Sequence, residues 1–218
     1  MRKKQLILLL LIPASLCLNA QRDPRAEPYL QALSEQFNME EGYLIRMNYI
    51  REDVMRGSSS EGEGRIWMKG TKYKMAVDEY VLHFDGEKLY SHNAEAEEVY
   101  ISVPDPGDPA YLQAVPIRII KACQQDFKYQ LIGERPFRGK DRIEIQLYPL
   151  DPSGPYSMLK IFLNPQSLKL EAFLLKHKEG IEYTMLLEEI KGRQQLDEAM
   201  FRFNPEEYPN TDIIELID

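Results

Sequence analysis

Residues 64–90 read Gly-Arg-Ile-Trp-Met-Lys-Gly-Thr-Lys-Tyr-Lys-Met-Ala-Val-Asp-Glu-Tyr-Val-Leu-His-Phe-Asp-Gly-Glu-Lys-Leu-Tyr. Apolar side chains recur at every second position: Ile66 and Met68; Tyr73, Met75 and Val77; Tyr80, Leu82 and Phe84. That period belongs to strands with one face turned to a core, because successive side chains of a strand point to opposite faces. Asp85-Gly86 is a tight hairpin signal, since glycine takes the left-handed backbone that such turns need. The chain returns from it through Lys88 to His92. The stretch therefore reads as consecutive antiparallel strands.

The same rhythm runs outward in both directions. Upstream, Tyr43, Ile45, Met47 and Tyr49 alternate with Leu44, Arg46 and Asn48, and Arg56 to Gly62 forms a turn cluster. Downstream come Val99, Ile101 and Val103, and then the rhythm breaks between Pro104 and Gln124. Prolines 104, 106 and 109 make that segment irregular, and Ile117, Ile119, Ile120 and Cys123 suggest a short helix after Pro116. Alternation resumes at Tyr129 and Leu131, then at Ile143, Ile145 and Leu147 beyond the Arg138-Gly139-Lys140 turn. Leu159, Ile161 and Leu163 follow, ending at the Asn164-Pro165 turn. Leu168, Leu170, Ala172 and Leu174 are expected to pair across Lys178-Glu179-Gly180 with Tyr183, Met185 and Leu187, while Phe201, Phe203 and Tyr208 pin the tail. Arg25 to Asn38 reads as a helix, with Pro28 in its first turn and Leu30, Leu33 and Phe37 on one side. About ten or eleven short strands with two helical interruptions predict a mainly β fold built on a single curled antiparallel sheet.

The first residues bear on destination. Met-Arg-Lys-Lys runs into the apolar stretch Leu6–Ile12, the shape of a secretory signal. The stretch is shorter than the roughly 20 residues that span a bilayer. Ala20 supplies a small residue for cleavage, so residues 1–20 are expected to be a cleaved signal peptide and 21–218 one domain; an uncleaved amphipathic anchor is the other reading. Cys17 follows Leu16 rather than a small residue, and is expected to leave with the signal rather than carry lipid. Only Cys123 then remains, so no intramolecular disulfide forms. With 27 Lys and Arg against 35 Asp and Glu, the chain carries a formal charge of −8, a surface that repels nucleic acid.

Catalysis needs convergent reactive groups. The HExxH, CxxC, GxSxG and GxxxxGK[ST] patterns are absent, and His83, His92 and His177 lack metal-ligand spacing. Asp126, Glu188-Glu189 and the run Glu95, Glu97, Glu98 read as solvated surface charge. Cys123 beside Ile119 and Ile120 reads as a small buried hydrophobe. No enzyme, metal or cofactor is expected. The apolar inventory is more telling, because Met47, Met68, Met75 and Met185 fall on strand faces where Ile or Val would pack more stiffly. Flexible thioethers suit a surface that adapts to varied apolar shapes, although they also fill ordinary cores. A curled sheet has a concave face, and helix 25–38 and segment 113–124 are available as lids over it. Strand parity nominates Met47, Ile66, Met68, Tyr73, Met75, Leu82, Ile145 and Ile161 for the concave cavity, with Leu30, Leu33, Ile117 and Ile120 in the lids.

The order of signal, amphipathic helix, Gly64-Arg-Ile-Trp-Met-Lys69, Lys72-Tyr-Lys74, Asp85-Gly-Glu-Lys-Leu-Tyr90 and Phe201-Arg-Phe-Asn-Pro-Glu-Glu-Tyr-Pro209 resembles the periplasmic outer-membrane lipoprotein carriers (LolA-like) of Gram-negative bacteria. The resemblance covers essentially the whole mature chain. It implies a half-open β-barrel with short helical lids, a monomer in the periplasm whose inner face shelters the acyl chains of lipoproteins. The implied partners are acylated lipoproteins, an inner-membrane lipoprotein-releasing transporter and an outer-membrane acceptor. A periplasmic lipid or lipoprotein sensor of the same fold is the alternative, and a structural or adhesion module a further one. The best-known members carry an Arg directly after the G-x-L-W-x-K segment, where it helps hold the lid shut; Gly70 stands there here. The Trp of their D-G-K-x-x-W segment is Tyr90.

Overall fold

The computed structural model describes residues 22–104, 120, 123 and 125–216. The expected signal peptide and most of the proline-rich segment, Ile117 included, lie outside the described residues. A helix, α1 (Glu27–Glu35), precedes strands β1 (Gly42–Asp53), β2 (Ser58–Lys69), β3 (Lys72–Val77), β4 (Tyr80–Phe84), β5 (Leu89–Asn93) and β6 (Glu98–Ser102). After the interruption come β7 (Phe127–Phe137), β8 (Lys140–Pro149), β9 (Tyr156–Leu163), β10 (Leu170–His177), β11 (Ile181–Gln194) and β12 (Asp212–Glu215). Two 3₁₀ turns, Glu198–Phe201 and Pro205–Glu207, join β11 to β12.

These strands form a single sheet in the order β12-β6-β5-β4-β3-β2-β1-β11-β10-β9-β8-β7. Each half is a meander of sequence neighbours, and the β1–β11 pairing joins the halves. The sheet does not close, because β12 and β7 are its two edges. All pairings are antiparallel except β12 on β6, a parallel addition to the expected antiparallel pattern.

Register fixes which residues share the concave face. One row runs Gly62, Tyr49, Met185, Phe173, Ile161, Ile145 and Leu131. Its neighbour runs Ser60, Arg51, Tyr183, Leu175, Leu159, Leu147 and Tyr129. Here the expected stripe Leu168, Leu170, Ala172 and Leu174 is corrected. Leu168 sits in the turn at a φ of 54°, and the register shifts between Leu170 and Ala172. Phe173 and Leu175 therefore face the core with Met185 and Tyr183. A one-residue shift turns every later side chain over.

α1 is shorter than the expected Arg25–Asn38 and crosses the concave face. At its start the Tyr129 hydroxyl donates to Glu27 at 3.3 Å; beyond its end the Gln36 amide donates to the Leu168 carbonyl at 3.0 Å. Phe37 packs edge-on against Tyr43 with ring centres 5.7 Å apart. A helix of nine residues is unstable alone, so its order comes from burying Ala26, Leu30 and Leu33 in the sheet's core. Ile120 and Cys123, both helical, belong to the same core.

Candidate functional site

All eight nominated cavity residues lie on the concave face, since the register joins Met47 to Gly64, Ile66 to Met75, Met68 to Tyr73, and Met75 to Leu82. They do not share one environment. Ile66, Met68, Tyr73, Ile145 and Ile161 are at most 1% exposed and form a packed core with Leu30, Leu33 and Ile120. These five are the floor beneath α1. Met47, Met75 and Leu82, in contrast, line a cavity of 630 Å³ that opens past α1, toward the β1–β2, β3–β4 and β10–β11 turns. That volume lies within the roughly 300–1,000 Å³ of small-molecule sites.

The cavity's body is apolar: Met47, Met75, Val77, Leu82, Leu175 and Met185. Three of those six are methionines, which repack at little cost around guests of different shape. The wall beside it is built on small residues. On the concave face of β2 the residues in this region are Ser60, Gly62 and Gly64. A Cβ built on Gly62 would lie 2.7 Å from the Tyr49 ring, and one on Gly64 would lie 2.8 Å from the Met47 methyl. The glycines thus let Tyr49 and Met47 lie flat against β2. Sequence reading places a turn over Arg56–Gly62, whereas the turn is Val54–Gly57 and β2 begins at Ser58. The signal that reveals the strand is a period of two written in small residues, with exposed Glu61 and Glu63 alternating between them.

Polar groups gather at one end of the cavity. The Tyr49 hydroxyl donates to the Asp78 carboxylate. Burial first, and then that carboxylate, push the hydroxyl's pKa up to about 12, so it stays protonated as a donor. Arg51, Ser60 and Tyr183 line the same end. Strand parity nominates none of these polar residues. Beside them, the β1–β2 turn carries Val54 and Met55, with Met55 82% exposed, and is tied to the β10–β11 turn by the Val54 N–H donating to the Gly180 carbonyl at 2.9 Å.

A larger cleft of 800 Å³ opens between the end of α1, the lower part of β10 and the lower part of β11. Its lining mixes Phe37, Leu170, Leu187 and Ile190 with Glu41, Glu171, Glu188, Glu189, Lys169 and Arg193, and the charges among them disfavour an alkyl chain.

Gly70, where the family resemblance implies an Arg latch, sits in the β2–β3 turn at a φ of 60° and donates its N–H to the Met39 carbonyl at 2.7 Å. The contact linking this turn to the chain after α1 is thus made by backbone. Tyr90 stacks on Phe203 across the convex face, with ring centres 6.3 Å apart and planes 17° apart. Cys123 is fully buried, its thiol 2.8 Å from the Ile120 carbonyl. Among the described residues no group of three or more His, Cys, Asp and Glu is placed to hold a metal ion.

The sequence matches no protein-family model and no curated protein sequence. Solved structures do match. A conserved protein from Thermus thermophilus shares 9% identity at a TM-score of 0.55, over 88% of this chain and 99% of that one. A LolA superfamily protein from Nitrosomonas europaea shares 11% identity at a TM-score of 0.46, over 82% and 97% of the two chains. LprF from Mycobacterium bovis shares 9% identity at 0.44, over 81% and 97%. At 9% identity the Thermus thermophilus match is a likeness of fold alone; this chain itself is one large unclosed curled sheet with few helices, as the sequence resemblance implied.

Proposed function

We propose that this chain is a periplasmic carrier, not an enzyme, which shelters the acyl chains of lipoproteins in its concave face and ferries them from inner to outer membrane. The observation that carries this reading is the 630 Å³ methionine-walled cavity on the concave face. A concave apolar cleft of this size with a few polar groups at one end is the ordinary form of a ligand site. Each methylene moved from water into it contributes about 0.8 kcal/mol. A chain carried across an aqueous compartment needs that shelter, and a donor and an acceptor need a place to dock. The exposed Val54 and Met55 at the same end offer an apolar foothold for an inner-membrane releasing transporter or an outer-membrane acceptor.

The test uses a synthetic acylated lipopeptide and the chain purified from periplasm. Lipid should co-purify and be identified by mass spectrometry. The lipopeptide should displace an environment-sensitive dye, and Met75→Asp should abolish that displacement, whereas Asn48→Asp, on the opposite face of β1, should leave it intact. Absence of both co-purified lipid and lipopeptide binding would end the carrier reading.

A further inference from the structure

One row of the concave face differs from the rest. Arg51 on β1 pairs in register with Ser60 on β2 and with Tyr183 on β11, so three polar side chains from three adjacent strands stand side by side on the inner surface. The next row inward holds Tyr49 and Met185, and the next Met47. Within one cavity the wall therefore passes from thioether and alkyl groups to a guanidinium flanked by two hydroxyls. That is the profile of an amphiphile's site, with the tail inside and the head at the rim.

The charge of Arg51 is what gives the row its meaning. In a chain with 35 acidic and 27 basic residues, cations find carboxylate partners readily, as Arg46 does with Glu189 at 3.1 Å and Arg56 with Asp53 at 3.8 Å. Among the described residues Arg51 is in no ion pair and no side-chain hydrogen bond, although it is half-buried beside Leu175 and Met185. Asp78, the carboxylate of the same lining, is engaged by the Tyr49 hydroxyl one row away. A guanidinium drawn partly out of water without a counter-charge lacks hydrogen-bond acceptors that a carboxylate or phosphate would supply in bidentate geometry.

We infer that the cavity selects amphiphiles with an anionic head, a carboxylate or a phosphate, and that Arg51 is the group that binds the head, with Ser60 and Tyr183 as flanking donors. This rests on the reading of the cavity as an acyl-chain site and goes beyond it, because it admits free fatty acids and acidic phospholipids as occupants alongside lipoproteins.

The experiment compares probes that differ only in the head. A fluorescent polyene fatty acid and its methyl ester are titrated against the full mature chain at a pH above the carboxylate range. Dipalmitoyl phosphatidic acid and dipalmitoyl glycerol serve as competitors. The acid should bind roughly 10- to 100-fold more tightly than the ester, the worth of a charge-assisted hydrogen-bond pair. Arg51→Gln should bring that ratio to near one without weakening the ester, which also shows that the variant is folded. Arg51→Lys should retain part of it. A large acid-to-ester ratio identifies a carboxylate head, and phosphatidic acid outcompeting the glycerol identifies a phosphate head; either supports the inference. Equal binding within both pairs, or an unchanged ratio in Arg51→Gln, overturns it while leaving the acyl-chain cavity standing. Failure of ester and acid alike overturns the cavity reading itself.

Discussion

Glycine 64 shows how a single residue sets the cavity. It is buried in mid-strand, where glycine is ordinarily a weakness of about 0.5–1 kcal/mol relative to alanine. The compensation is the Met47 side chain lying across it, with Val77 on the other side. Gly64→Ala is expected to fold normally, because the obstructing atom is a methionine methyl that can swing aside. It should nevertheless take up fewer methylenes, measured as weaker binding of long acyl probes with short ones unaffected. Equal affinity across chain lengths would show that the cavity does not extend over β2. Gly70 differs, since its φ of 60° is the left-handed region that favours glycine, although Arg138 and Arg193 adopt it elsewhere in this chain. An Arg placed there adds strain of about 1–2 kcal/mol, though its Cβ would clash with nothing, the nearest atom being the Met39 carbonyl oxygen at 3.8 Å.

Among the elements, the tail after β11 has the most specific construction. It lies on the convex side of β4 and β5, where Phe203 packs against His83 and His92 and stacks on Tyr208 with ring centres 5.2 Å apart. The sequence made Phe201, Phe203 and Tyr208 visible as anchors, but it left the histidines looking scattered. The β4–β5 hairpin brings His83 and His92 to one face, a proximity visible only once the register is known. His83 donates its Nδ1–H to the Met200 carbonyl, 3.0 Å away, and His92 meets the Thr211 hydroxyl at 3.4 Å. Burial is the main cause that lowers the His83 pKa from 6.5 to about 4; Lys74 on β3 and His92 on β5 push the same way, against Met200 and Glu207 of the tail. Burial likewise lowers His92. The folded state thus holds fewer protons than the unfolded chain as pH falls from 6.5 toward 4, and the clasp's contribution to stability, full above 6.5, is lost across that window. Amide exchange in residues 198–216 should accelerate in this range more than in β8–β10. His83→Phe should flatten the response, and an identical pH profile in that variant would assign the effect to other groups.

At the scale of the molecule, strands were legible because their period of two is local, whereas the sheet's strand order and its cavity depend on distant partners. The β1–β11 junction, the register shift at Leu170 and the close approach of Tyr49 and Met47 to Gly62 and Gly64 arise from pairings that no short window displays. β12 is the clearest case. Asp-Ile-Ile-Glu is too short to announce a strand, and it reaches β6 only because the tail's aromatic clasp delivers it there. Its task follows from the open topology. At one edge, Asp23 donates its N–H to the Tyr129 carbonyl and accepts the Leu131 N–H, covering part of β7. At the other, the Asp212 and Leu216 N–H groups reach the Glu97 and Ile101 carbonyls at 2.8 and 2.7 Å. Without β12, the Glu-Val-Tyr-Ile-Ser run of β6 would present an unpaired, β-branched edge, a template for a second copy. Ending the chain at Asn210 should therefore yield concentration-dependent association in light scattering, while the full-length chain stays monomeric. Acyl-probe binding should survive, because the concave wall of β1–β4, β10 and β11 is untouched. A truncated chain that remains monomeric at every concentration would mean that β6 is protected by its own twist, and that β12 serves only to hold the tail.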